Sequence, residues 1–163
     1  MLEFLSIKNF AIIDELALPF KPGLTVLTGE TGAGKSIIVD ALQTLLGEKV
    51  DLSVVRAGDS SARVEAAFKA PEIDLPDGFE ALDELIIGRE IRREGRGRAT
   101  VNGAMITIPH LKEIGDRMVD LHGQHEHQSL LKTAVHLRAL DSFASLVERK
   151  QEFAEIFREL TEV

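Results

Sequence analysis

Eight residues constrain this chain more than any others: Gly29-Glu30-Thr31-Gly32-Ala33-Gly34-Lys35-Ser36, which spell G-x-x-x-x-G-K-S without departure. The spaced glycines let the backbone curl until successive N–H groups point inward at an anion. A helix that starts directly behind them adds its unpaired N-terminal N–H groups and the positive end of its dipole. Lys35 is then placed to reach the β- and γ-phosphates of a nucleotide, and the Ser36 hydroxyl to ligate Mg²⁺. A chain of this length and average composition would hold the pattern by chance in about half a percent of cases. The flanks fit as well. Residues 24–28 form a short β-rich run that reads as a buried strand. Behind the loop, Ile37, Ile38, Ala41, Leu42, Leu45 and Leu46 recur at three-to-four spacing, an amphipathic helix stopped at Gly47. Strand, loop and helix in that order predict an α/β fold of the P-loop nucleotide-binding kind.

The rest of the chain reads as mostly antiparallel. Residues 2–7 and 12–18 look like two strands separated by a turn signal at Lys8-Asn9, with Pro19 and Pro22-Gly23 ending the run. Alternation returns at residues 62–70, with Ala62, Val64, Ala66 and Phe68 on one face, before a loop marked by Pro71, Pro76 and Asp77-Gly78. Residues 85–91 predict a strand, Glu94-Gly95-Arg96-Gly97 a turn, and Ala99-Thr100-Val101 the returning strand. Asn102-Gly103 is the strongest short hairpin signal there is. Residues 84–108 therefore predict an antiparallel meander. Pro109 opens a helix to about Arg117, and Met118-Val119-Asp120-Leu121 reads as a short central strand. From His136 to Val163 there is no Gly or Pro. Phe143, Leu146, Phe153, Phe157 and Leu160 fall on alternating three and four spacings, with Lys150 in one seam position. That is the start of a coiled coil, or else a terminal helix packed on its own domain.

Composition sets outer bounds. At 163 residues, 44% hydrophobic and 28% charged, the chain has the make-up of a globular domain. No apolar run approaches a membrane span, and Glu3 and Lys8 crowd the N-terminal stretch too closely for a signal peptide. The absence of cysteine excludes disulfides and thiolate metal sites, so the expected home is a reducing cytosol. A net charge of -8 argues against a module that grips DNA over its whole surface. Any such contact has to come from a local patch or from chain outside these residues.

The loop does not say which nucleotide enzyme this is. No N-K-x-D motif is present to read a guanine, and no L-S-G-G-type signature appears. A hydrolase of this fold also needs a carboxylate after an apolar strand. Asp120 follows only Met118-Val119, and Asp83-Glu84 follow only Ala81-Leu82, so no residue qualifies as catalytic. The phosphate cradle is complete and the catalytic set is not.

Such a half-set resembles the SMC-like members of the ABC ATPases, whose heads are split by a long coiled-coil insertion. In that family the N-terminal lobe carries the phosphate loop and a Q-loop, and the C-terminal lobe carries the signature, the Walker B carboxylates and a switch histidine. This chain follows the N-terminal order: a strand leading to Ile7-Lys8-Asn9-Phe10, the phosphate loop, an Arg-rich meander, and an outgoing helix. Between the last two, Leu121-His122-Gly123-Gln124-His125-Glu126-His127-Gln128 is similar to a segment of the RecN family, which acts in DNA double-strand-break repair and recombination. The resemblance implies a lobe over residues 1–135 and an outgoing coiled-coil helix over 136–163. It implies ATP and Mg²⁺ as cofactors, with Gln124 as the Q-loop ligand (Gln128 as fallback) beside Ser36. Implied partners are the C-terminal lobe of the same protein, a second head in a homodimer, and DNA through the intact protein in the bacterial cytosol at the nucleoid, with no membrane. Hydrolysis would then need the C-terminal lobe, and the isolated chain would be inactive.

Two clusters invite other readings. His122, His125, His127 and Glu126 sit close together, but their spacing is neither H-E-x-x-H nor a finger pattern, so they are expected to pack at the Q-loop. Arg89, Arg92, Arg93, Arg96 and Arg98 outnumber Glu90 and Glu94, a local positive stretch that could meet DNA phosphates, as could Arg56 and Arg63. No aromatic interleaves the arginines, so base stacking is not indicated. A solvated hairpin edge guarded against strand pairing is the plain alternative. A nucleotide-binding association module without catalysis, and a small P-loop kinase using the hairpin as a lid, are the rival functions.

Overall fold

The computed structural model describes residues 1–30, 34–69, 83–121 and 133–161. It divides into two compact units, Met1–Val119 and Asp120–Val163.

The first unit is built on one antiparallel sheet. Its strands are β1 (Leu2–Phe10), β2 (Ile13–Pro19), β3 (Ser61–Lys69), β4 (Glu84–Arg92), β5 (Arg98–Val101) and β6 (Ala104–Met105), in the spatial order β2-β1-β3-β4-β5-β6. Alternation decides which side is core. Leu5 and Ile7 of β1, the predicted Ala62, Val64, Ala66 and Phe68 of β3, Leu85, Ile87 and Ile91 of β4, and Ala99 and Val101 of β5 are all buried. The opposite side carries Lys8, Arg63, Glu65, Glu90 and Arg92 and faces water. Helix α1 (Lys35–Leu45) lies against β3 and β4, contributing buried Ala41 and Leu45. Helix α2 (Ile108–Met118) adds Leu111 and Ile114. Thr107 caps it, its hydroxyl accepting from the His110 N–H at 3.4 Å, with Pro109 in the first turn as expected.

Turns follow their chemistry. Asn102 and Gly103 both take positive φ, and the Asn102 side chain accepts from the Ile86 N–H at 2.8 Å, tying the turn back to β4. The first hairpin turns later than expected, at Ala11-Ile12 rather than Lys8-Asn9, because β1 runs on to Phe10, which pairs with Val55.

Three expectations are corrected. Residues 24–28 do not form a strand: they run irregularly with Leu24 92% and Val26 68% exposed. Residues 118–121 do not form a central strand either; α2 ends at Met118 and the chain continues outside the sheet. Both segments have the right composition, but a strand exists only where a neighbouring strand pairs with it, and among the described residues no strand pairs with either. Finally, the predicted continuous helix from His136 is two helices, α3 (Thr133–Phe143) and α4 (Val147–Thr161). Ser145 enters the left-handed region (φ 55°), and the Leu146 N–H closes on the Asp141 carbonyl at 2.8 Å, the bond pattern of a helix terminus. Lys150 pairs with Asp141 across the break at 2.7 Å. Within α4 the seam survives as exposed Phe153, Phe157 and Leu160, with the two rings stacked 6.3 Å apart.

Candidate nucleotide-binding site

The site is assembled at the start of α1. Gly34 is the residue before the helix, with φ 90°, a conformation that glycine adopts without the Cβ penalty. No side chain caps the helix and its first turn holds no acidic residue. The orphan N–H groups of that turn therefore have no built-in anion, and a phosphate suits them. Lys35 spans the loop: its ammonium donates to the Gly29 carbonyl and, at 2.7 Å, to the Glu30 carbonyl. Ser36 follows with an exposed side chain, free to act as a hard oxygen ligand. These residues fit a nucleoside triphosphate with Mg²⁺. Of the expected site, Gly29, Glu30, Gly34, Lys35 and Ser36 are seen in this arrangement. Thr31, Gly32, Ala33, Gln124, Gln128 and the histidine cluster lie outside the described residues.

The far end of α1 is equally built. Gly47 takes φ 96°, its N–H donating to the Thr44 carbonyl (3.2 Å), while the Glu48 N–H reaches the Gln43 carbonyl (3.1 Å). This is the paired closure of a Schellman terminus. Into it comes Arg89 from β4, only 8% exposed, donating to the carbonyls of Thr44 and, at 2.7 Å, Glu48. Burial pushes its guanidinium below the ordinary value, and the Glu48 charge pulls it partway back. The reading of Arg89 as a DNA contact is corrected here, because its side chain faces the core. Lys112 of α2 pairs with the Glu48 carboxylate and, at 3.3 Å, with Asp116; the Glu48 bond comes first in raising its pKa.

The other candidate arginines divide by partner. Arg92 is chelated by Glu90 through bonds of 2.9 and 3.0 Å. Arg93 donates to the carbonyls of Asp59 (2.9 Å), Val55 (2.7 Å) and Arg56 (3.3 Å). Arg56 lies 3.6 Å from Asp14 and 3.8 Å from Asp59, long contacts on a half-exposed side chain. Arg63 pairs with Glu65 at 2.7 Å. Arg96 and Arg98 are exposed and make no ion pair among the described residues. Strand register sets Glu15, Lys8, Arg63, Glu90 and Arg98 in one row across the solvent face, so much of the positive charge is already answered in place. Sequence alone could not sort these arginines. The usable signal was the inward parity of position 89 in β4.

The family model described as AAA domain matches residues 5–162. The DNA repair protein RecN of Halalkalibacterium halodurans is 44% identical over 98% of this chain and 30% of its own length. The DNA repair protein RecN of Bacillus subtilis is 46% identical over 88% of this chain and 26% of its own. The chain thus spans less than a third of the length of these relatives. The Smc head domain of Pyrococcus furiosus, solved with an extended coiled coil and bound to the C-terminal domain of ScpA, has a TM-score of 0.69 at 24% identity. It is matched over 99% of this chain and 46% of its own, a likeness of fold. The chain belongs to the AAA domain family, and the curated proteins it resembles over this part of their length are RecN proteins.

Proposed function

We propose that this chain is the ATP-binding N-terminal lobe of an SMC-like head, working in DNA double-strand-break repair and recombination, and that it hydrolyses ATP only when the rest of the head completes it. The observation that carries this reading is a phosphate cradle at the start of α1 joined to a lead-in segment that finds no strand partner among the described residues. Lys35, Ser36 and the uncapped start of α1 form the cradle, while residues 24–28, which lead into it, expose Leu24 and Val26. In a P-loop fold that segment is a central strand, so neighbours for it have to come from outside the described residues.

In the proposed lobe, residues 1–135 hold the nucleotide and 136–163 begin the outgoing coiled coil. The phosphate-loop backbone and Lys35 hold the β- and γ-phosphates, and Ser36 and Gln124 ligate Mg²⁺. When bound, MgATP would supply a γ-phosphate against which a second head could close. The C-terminal lobe supplies the carboxylates that no residue of this chain provides. Arg96 and Arg98, with Arg56, are the surface cations best placed for DNA phosphates, through the intact protein in the cytosol at the nucleoid. Among the described residues no helix is long and apolar enough to cross a membrane. Titration of MgATP against the chain tests the cradle directly. Saturable binding lost in Lys35→Ala is expected; equal binding by both proteins would remove the loop from the account.

A further inference from the structure

Position 89 is the one charged side chain in the buried row of β4, between Ile87 and Ile91. A guanidinium there loses its water, and among the described residues its hydrogen-bond acceptors are two carbonyls. One lies in the last turn of α1 and the other in the closing turn just past it. The Glu48 carboxylate is turned to Lys112 instead. Thr44 already accepts from Gly47, so Arg89 uses the second lone pair of a carbonyl at the negative end of the helix dipole.

The geometry has a mechanical consequence. Ala41 and Leu45 set how far α1 stands from the sheet, but apolar contact is non-directional and resists sliding weakly. A planar donor bonded to two carbonyls fixes position along the helix axis as well. The other end of the same helix, about 16 Å away by helical rise, carries Lys35 and Ser36. Arg93, four residues further along, holds the carbonyls of Val55, Arg56 and Asp59. The connection from α1 to β3 is therefore held near both ends, by Arg89 in β4 and by Arg93 just past its end. We propose that Arg89 is a positioning residue for the phosphate loop: by pinning the end of α1 to β4 it sets where Lys35 and Ser36 stand relative to the phosphates and Mg²⁺.

The ligand half of this inference rests on the ATP-binding reading, so its test has an arm without nucleotide. Arg89→Lys keeps the charge but loses the rigid guanidinium plane that aims both Nη1–H bonds at the Thr44 and Glu48 carbonyls; Arg92→Lys, on the solvent face, is the control. Well below the melting temperature, Arg89→Lys is expected to weaken MgATP binding about tenfold. Without nucleotide, its amides at residues 35–38 should exchange severalfold faster, with neither change in Arg92→Lys. A folded Arg89→Lys protein with a lowered melting temperature but unchanged affinity and first-turn exchange would overturn the proposal. Should the variant not fold, wild type decides: MgATP should slow exchange at Gly47 and Glu48, and no change there overturns the coupling. Failure of wild type to bind MgATP would sink the cradle reading while the nucleotide-free exchange arm still judges Arg89.

Discussion

At the scale of single residues, Gly47 does two jobs that no other residue type can share. It takes the left-handed conformation that closes α1, and a Cβ on it would stand 2.7 Å from the backbone nitrogen of Lys112. Gly115 answers from α2, where a Cβ would stand 2.7 Å from the Leu46 carbonyl oxygen. The two helices approach as closely as backbone allows. Gly47→Ala combines the left-handed penalty with a clash that backbone has to relieve, so unfolding experiments should show a loss of roughly 2–4 kcal/mol. A loss of a few tenths would mean that α2 does not sit against α1 in this way. The helix stop at Gly47 was legible from sequence; the second reason for glycine was not, because it depends on a helix that begins sixty residues later. Arg89 makes the same point. Its type suggested a surface contact, and only its parity within β4 pointed inward.

At the scale of elements, the antiparallel part of the fold was readable because each of its strands finds its partner within the chain. Alternation at residues 62–68 named the buried face of β3, and Asn102-Gly103 named a hairpin that has positive φ at both positions. The strand at 24–28 was readable by composition and is nevertheless absent, since pairing is not a property of the segment alone. Hydrogen exchange should separate the two cases. In this chain the amides of residues 24–28 should exchange within the fastest class, and at the length of the RecN relatives they should join the protected sheet. Protection already present in this chain would contradict the irregular backbone seen here. The break between α3 and α4 was hidden for another reason: Ser145, not glycine, takes the left-handed turn, so no residue type announced it. Of the candidate site, the loop was legible outright, whereas Gln124 rests on resemblance and lies outside the described residues.

At the scale of the whole molecule, a net charge of -8 confines any DNA contact to a patch. Among the candidate arginines, Arg96 and Arg98 are exposed without ion pairs in the described residues, while Arg89, Arg92 and Arg93 are engaged. In the full-length protein, replacing Arg96 and Arg98 together by serine should weaken DNA binding and reduce the slope of log affinity against log salt by about two. An unchanged slope would assign DNA contact to other surfaces. The central claim, that this lobe holds the phosphates but cannot act on them alone, is tested most directly by ATP turnover. It should be measured on the chain by itself and again with the remainder of the head supplied, each beside Lys35→Ala. The account predicts binding without turnover for the chain alone, and turnover on completion that Lys35→Ala abolishes. Sustained hydrolysis by the 163-residue chain alone, lost in Lys35→Ala, would contradict it and require a catalytic carboxylate within these residues.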